Sequence, residues 1–346
     1  MKSILDLDFE EAGNVFKSMD EPAYRSRQVL KWIWGKEICD FDLMTNVSKA
    51  LRAKLAQKYS FNLPEIRKAE LSSDGTIKFL MSMADQKTAE SVLIPTEDHY
   101  TQCISTQIGC PMGCLFCSTG RMGFDRNLSS GEIAGQILSA RRYLRENNYP
   151  LPLNNLVLMG MGEPLLNWEQ VRKALNIFRD PDGLNFSRRK ITLSTVGVKK
   201  NLRELGESNL AFLAVSLHAP DQRLRRSIMP GAASYELSDL ISDLEKYPLA
   251  HRDRITIEYV MLKGINDSLS HARELVRVLS KVKCKINLLR YNPDHDSDFE
   301  CSSEEDIFAF QDFLRSRDFT VMLRKSMGAD IHAACGQLKS VDSNYQ

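Results

Sequence analysis

The sequence predicts an α/β protein, a partial (β/α)6 barrel preceded by a small helical domain and a short β-rich connector. Three observations carry that expectation. After Tyr100 a strand–loop–helix rhythm repeats six times, and such alternation implies parallel strands joined by helical crossovers. Six units fall two short of a closed eightfold barrel. Glycines and polar residues also gather at the predicted carboxyl ends of the strands, the face where parallel α/β folds bind ligands. An open doubly wound sheet satisfies the same periodicity and stands as the alternative.

From about Asp8 to Tyr59 the pattern is helical. Pro22 suits an early helix position, followed by Val29, Leu30, Trp32 and Ile33 at helical spacing. Lys49 to Tyr59 sets Leu51 and Leu55 on one face, so residues 1–60 read as a helical accessory domain. Short alternating runs between Ile66 and Pro95, broken at Ser72–Gly75, predict antiparallel strands. Residues 61–98 are therefore a β-rich connector carrying Glu90, and residues 99–346 the core domain. Within the core, strands are expected at Gln102–Thr106, Asn155–Met159, Lys190–Ser194, Ala211–Ser216, Arg254–Met261 and Lys285–Arg290, with a final one at Phe319–Arg324. Helices are expected at Ser130–Asn147, Trp168–Arg179, Lys199–Glu207, Tyr235–Lys246, Leu269–Lys281 and Glu304–Ser316.

At 346 residues and 43% hydrophobic, the chain can bury a large core. No apolar run approaches the roughly eighteen residues a membrane span needs. Met1 to Asp20 is acidic and has no apolar stretch, so no targeting peptide is expected. Eight cysteines without an export signal fit a reducing cytoplasm. The net charge of +1 neither demands nor excludes nucleic acid. Basic clusters occur at Arg141-Arg142 with Arg145, Arg188–Lys190, Lys199-Lys200 and Arg223–Arg226. Such runs are ordinarily solvated faces; only a shared concave surface makes them a phosphate footprint.

The chemistry starts at Gly109–Cys117, where Cys110, Cys114 and Cys117 are spaced C-x3-C-x2-C. Three thiolates hold three corners of a 4Fe–4S cluster and leave one iron open for a ligand. Cys103, seven residues upstream, admits a four-cysteine zinc site, but structural zinc pairs its cysteines in two separated knuckles. A disulfide framework suits small secreted chains better. Beyond the loop, Gly160–Pro164 follows the second predicted strand, Ser194-Thr195 and Ser216–His218 end the third and fourth, and Asn292-Pro293 follows the sixth. Each alone reads as a local turn or cap. Together they suit a zwitterionic nucleoside, with backbone and Glu163 for an ammonium group, and Ser and Asn for carboxylate and ribose hydroxyls.

Further motifs sharpen this. They are Glu21–Arg25, Glu90–Pro95, Arg126–Leu128, Gly160–Asn167, Ser216–Pro220, Tyr291–Pro293 and Gly328–Leu338 with Cys335. With Cys103 and the cysteine loop they resemble the radical S-adenosylmethionine RNA adenine methyltransferases, the RlmN/Cfr family, over nearly the whole chain.

The resemblance implies one 4Fe–4S cluster on Cys110, Cys114 and Cys117, and two molecules of S-adenosylmethionine per turnover. Gly162, Glu163, Ser194, Ser216, Leu217, His218 and Asn292 match the family's cofactor contacts. Cys335 matches the methyl-carrying cysteine, Cys103 its redox partner and Glu90 the proton acceptor. The implied route has one cofactor methylate Cys335, while a second yields a radical that takes hydrogen from the S-methyl group. The carbon radical adds to C2 of adenine, an electron-poor position that simple methyl displacement would not reach. Glu90 removes the C2 proton, and Cys103 releases the product, leaving a Cys103–Cys335 disulfide for reduction. Cys39, Cys284 and Cys301 read as ordinary buried hydrophobes.

The implied substrate is an adenosine in the peptidyl-transferase centre of 23S rRNA, with the adenosine 3′ of the anticodon in some tRNAs as a second target. The base would be splayed into the barrel mouth while the helical domain and the basic clusters grip the backbone. A low-potential donor such as flavodoxin or ferredoxin supplies electrons. Phe116–Gly120, Gly123-Phe124 and Arg126–Leu128 look more like the C2 than the C8 branch of the family. The chain runs eleven residues past Cys335 without the basic tail many members carry, which weakens the expectation for tRNA. The alternatives are a C8-specific rRNA methyltransferase and a radical enzyme acting on a substrate other than RNA.

Overall fold

The computed structural model describes residues 1–293 and 297–339; the segment after Lys339, read above for its lack of a basic tail, lies outside the described residues. β1 (Lys2–Ser3) pairs in parallel with β2 (Tyr59–Ser60) and so brackets α1 (Phe9–Lys17), α2 (Ala23–Leu30) and α3 (Lys49–Lys58). Each helix begins where the sequence supplies a start signal. Asp8 forms a capping box with Glu11, Pro22 precedes α2, and Ser48 accepts the Leu51 N–H.

β3 (Glu65–Leu71), β4 (Ile77–Ser82) and β5 (Thr88–Pro95) are antiparallel, as the alternation requires. They also extend the main sheet, because β5 pairs antiparallel with β6 (Tyr100–Cys103), the first barrel strand. β7 (Gln107–Gly109) and β8 (Phe124–Asn127) form a small hairpin around α4 (Ser118–Arg121). The repeating units follow: α5 (Ser130–Glu146), β9 (Leu153–Leu158), α6 (Trp168–Arg179), β10 (Ile191–Thr195), α7 (Lys199–Ser208) and β11 (Phe212–Ser216). Then come α8 (Gln222–Ile228), α9 (Leu237–Glu245), β12 (Ile255–Met261), α10 (Leu269–Leu279), β13 (Cys284–Arg290), α11 (Glu304–Arg315) and β14 (Val321–Arg324).

One ten-stranded sheet results, in the order β3-β4-β5-β6-β9-β10-β11-β12-β13-β14. From β6 onward every neighbour is parallel and the order follows the chain without reversal. A doubly wound sheet needs a reversal, so that alternative is set aside. The sheet is strongly curled. Laid flat, ten strands would hold the outermost edges about 40 Å apart. Yet Gly328, four residues beyond the end of β14, donates its N–H to Asp74 in the β3–β4 turn at 2.8 Å, and four residues reach at most about 14 Å.

The N-terminal helices dock on α5 and α6. A Cβ at Gly131 would lie 2.7 Å from the Leu5 carbonyl carbon, while Ser130 Oγ donates to Asp6 O at 2.9 Å. Arg27 pairs with Asp180 and Asp182, and Lys173 with Glu11. The expectation that the basic clusters grip RNA is corrected for Arg225, which is buried. Arg141 and Arg145 pair with Glu37, and Arg188 with Asp253.

Candidate active site

The cysteine loop is fixed by backbone geometry. Cys110 N–H donates to Gly123 O at 2.7 Å across the β7–β8 hairpin, and Leu115 N–H to Ile228 O at 3.0 Å at the end of α8. Cys117 N–H reaches Cys114 O at 3.1 Å, a turn that leads into α4. All three thiols line one cavity of about 990 Å³ at the carboxyl ends of the barrel strands, a size suited to a cofactor. Burial pushes Cys110 up to about 12 and Cys114 well above its ordinary value, and the neighbouring thiols add to both shifts. A bound metal would hold such thiols as thiolates. Among the described residues no three His, Cys, Asp or Glu side chains are gathered tightly enough for a single ion, which is what zinc requires. Three soft donors on one cavity wall and in one another's field suit three corners of an iron–sulfur cluster.

Opposite the loop, strand ends present the polar groups. Gly162 adopts φ 103°, and a Cβ there would sit 2.5 Å from the Gln107 side chain, so only glycine fits. Glu163 is 3% exposed. Its Oε1 accepts from Leu165 N–H at 3.0 Å and Thr195 Oγ1 at 2.6 Å, its Oε2 from Val196 N–H at 2.9 Å. Burial pushes its pKa up against these three donors. A carboxylate has about four acceptor positions, so one remains for an incoming ammonium. Ser194 Oγ and Ser216 Oγ stand 3.3 Å apart on adjacent strands. His218 Nδ1 accepts the Val260 N–H at 3.0 Å, while burial and then the Arg225 charge depress its pKa to about 3. The imidazole is therefore neutral, with Nε2–H its remaining donor.

Cys335 closes the other side. It shares the first cavity with the cysteine loop and a second with Cys103, Cys117 and Asn292. Its side chain is exposed to these cavities although protein surrounds it, and burial raises its pKa while Arg324 opposes the rise. Cys103, at the end of β6, is buried and pushed up to about 12, with Cys335 the next cause after burial. Both are free thiols. The segment bearing Cys335 is pinned at several points. Ser118 N–H donates to Gly336 O at 2.7 Å and Thr119 Oγ1 to Leu338 O at 2.6 Å. Asp330 accepts from Ser72 Oγ at 2.5 Å and Ser73 N–H at 3.0 Å.

Glu90 lies beneath this segment. The pairing Val92↔Cys103 carries it past the end of β6, and its Oε2 accepts the Lys339 N–H at 2.9 Å. Burial raises its pKa to about 7, Lys78 at 3.4 Å partly offsetting that. It lines neither cavity. Leu217 is fully buried, its N–H is bonded to Glu258 O at 3.1 Å, and it too lines neither cavity. Every other residue expected to hold the cluster, seat the cofactor or act on the methyl group lines one cavity or its neighbour. Cys284 is buried as read, while Cys39 and Cys301 are only half-buried. Sequence reasoning missed Lys78, Arg225, Glu258 and Asn266. The last donates to His218 O at 2.9 Å and Val260 O at 2.7 Å, fixing the turn that aims the imidazole.

A curled parallel sheet with three loop cysteines and a nucleoside-sized cavity at its mouth defines a radical S-adenosylmethionine enzyme. Residues 104–276 match the radical SAM superfamily, and residues 2–60 the ribosomal RNA large subunit methyltransferase N-terminal domain. A radical SAM methyltransferase from Sphaerobacter thermophilus superimposes with a TM-score of 0.90 at 38% identity, over 98% of this chain and 99% of that one. The dual-specificity RNA methyltransferase RlmN of Nitratidesulfovibrio vulgaris is 52% identical, over 98% of this chain and 95% of its own length. That of Solidesulfovibrio magneticus is 49% identical, over 98% and 97%. The chain belongs to the RlmN family of radical SAM RNA methyltransferases.

Proposed function

We propose that this protein methylates C2 of adenosine in 23S rRNA and in tRNA, in the cytoplasm, with electrons from a low-potential donor. The observation that carries the reading is Cys335 placed between the cysteine-loop cavity and Cys103. Cys110, Cys114 and Cys117 would hold the 4Fe–4S cluster, and Gly162, Glu163, Ser194, Ser216 and His218 would seat S-adenosylmethionine, with Asn292 at the cavity beyond. When bound, these groups supply the methyl, the electron and the hydrogen-abstracting fragment.

The remaining steps fall to the chain's own side chains. Cys335 sulfur accepts the methyl group and carries it to adenine C2, forming a carbon bridge between sulfur and base. One hydrogen atom of that methyl leaves to the cofactor-derived fragment. The C2 proton passes to the Glu90 carboxylate, directly or through a group it orients, and the unpaired electron left on the adduct would return to the one-electron donor site. Cys103 thiolate then attacks Cys335 sulfur; the S–S bond forms as the S–C bond breaks, and the released carbon takes up a proton as methyl. A donor of two electrons must afterwards reduce the disulfide.

Mass spectrometry of RNA digested after anaerobic turnover with methyl-labelled cofactor tests this. Label in 2-methyladenosine is expected, with none from Cys335→Ala and a covalent RNA–protein adduct accumulating in Cys103→Ala. Label at C8, or normal methylation by Cys335→Ala, overturns the reading.

A further inference from the structure

Arg225 is among the largest side chains sealed inside this molecule, and beyond helping to keep His218 neutral it has no part in the chemistry above. It is 0% exposed. Its Nη1 donates to the carbonyls of Ala232 at 2.8 Å and Tyr235 at 2.9 Å, and its Nη2 to Val196 O at 2.7 Å. Its Nε has no partner among the described residues. Nor does the guanidinium form an ion pair among them; the nearby Glu236 reaches Arg226 instead, at 3.3 Å. Three carbonyl dipoles offset part of the cost, but a buried ion without a counter-charge is strongly unfavourable.

The missing anion has an obvious place. Arg225 is not on the cavity wall; it sits behind the cysteine loop. Its helix, α8, ends at Ile228, whose carbonyl receives the Leu115 N–H, and Gly231 N–H donates to Met112 O at 3.0 Å. Cys114 packs in one apolar cluster with Val196 and Ala232, two of the residues whose carbonyls Arg225 binds. Cys114 and the guanidinium therefore share a dry environment, and each lies in the other's field.

We propose that Arg225 is the fixed counter-charge of the iron–sulfur cluster, placed behind Cys114 to stabilise the thiolate ligands and to ease uptake of an electron. This rests on Cys110, Cys114 and Cys117 holding that cluster. Thiolate ligation brings negative charge into a medium of low dielectric, and reduction adds one more unit. A fixed cation favours the reduced state over the oxidised one, and net charge and burial are among the factors that set such potentials. Arginine suits the place because its planar fork binds three backbone carbonyls at once. The electron comes from the external donor, and no bond at Arg225 forms or breaks.

The test compares Arg225→Gln and Arg225→Met, which remove the charge, with Arg225→Lys, which keeps it. Each protein is reconstituted anaerobically and titrated by electron paramagnetic resonance of the reduced cluster. Iron per chain and the melting of the cluster-free proteins are measured alongside. The neutral variants are expected to shift the reduction equilibrium at least tenfold against the reduced state, about 59 mV more negative for one electron. They also lose iron faster to a chelator, while the lysine variant stays near wild type. An unchanged midpoint in a neutral variant that folds and loads iron overturns the proposal. Unfolding of both neutral variants before any iron is added overturns it too, since Arg225 would then belong to the scaffold. A wild-type chain that takes up no iron overturns the functional reading itself, which keeps the two failures apart.

Discussion

At about pH 7 the Glu90 carboxyl is divided between its acid and base forms, because burial raises it and the Lys78 ammonium only partly restores it. If Glu90 accepts the C2 proton, the competent form is the carboxylate, and activity rises with pH through about 7. Lys78→Met removes the cation, so the ionised form becomes harder to reach and the rising limb of kcat/KM moves to higher pH, by about one unit. Lys78→Arg leaves the limb near its original place. A limb that stays put in Lys78→Met while overall activity falls would show that Lys78 acts only on folding. The three loop cysteines stand out in the sequence by their spacing and Glu163 by its place after a predicted strand, whereas Cys335 is singled out only through the family resemblance. Lys78 was not legible: in Thr76–Met81 it reads as the solvent side of a half-buried strand. Its burial comes from Glu70 and Glu90 on the flanking strands, which no local pattern contains.

Among the elements, the hairpin turn between β3 and β4 has a role beyond reversing the chain. Its Ser72, Ser73 and Asp74 hold Asp330 and Gly328, and the Gly328 N–H heads the interactions that, against burial, draw the Asp74 carboxyl down to about 2. Asp330→Ala removes three hydrogen bonds to the turn, each contributing about 1 kcal/mol. Amide exchange of residues 328–339 is expected to quicken at least tenfold, and methyl transfer to fall, while global melting barely moves. Unchanged exchange would show that the turn does not position Cys335. The long amphipathic elements were predicted to within three residues of their observed ends. β7 and β8 were missed because strands of three and four residues are too short to show a period. α8 was missed because Arg223, Arg225 and Arg226 read as a charge run, which hides the helical spacing of Leu224 and Ile228.

For the molecule as a unit, the helical N-terminal region is tied to the barrel by close approach as well as by charge. Gly131→Val would press a branched side chain into Leu5 and Asp6. Overpacking of this kind costs about 2 kcal/mol, so thermal unfolding is expected to move down by several degrees. An unchanged melting temperature would show that the two regions separate freely. That β3–β5 continue the barrel sheet was not legible, because alternation fixes which residues share a face and not which strand lies beside which. The curl has a further consequence. The chain leaves one rim of the sheet at Arg324 and fastens to the opposite rim at Asp74, so the segment that bears Cys335 is also the tie across the open seam. A longer crossing would slacken the wall beside the reaction, and a shorter one would drag the sulfur from its seat. Length is therefore fixed here by mechanics, whatever latitude the side chains of residues 325–327 retain.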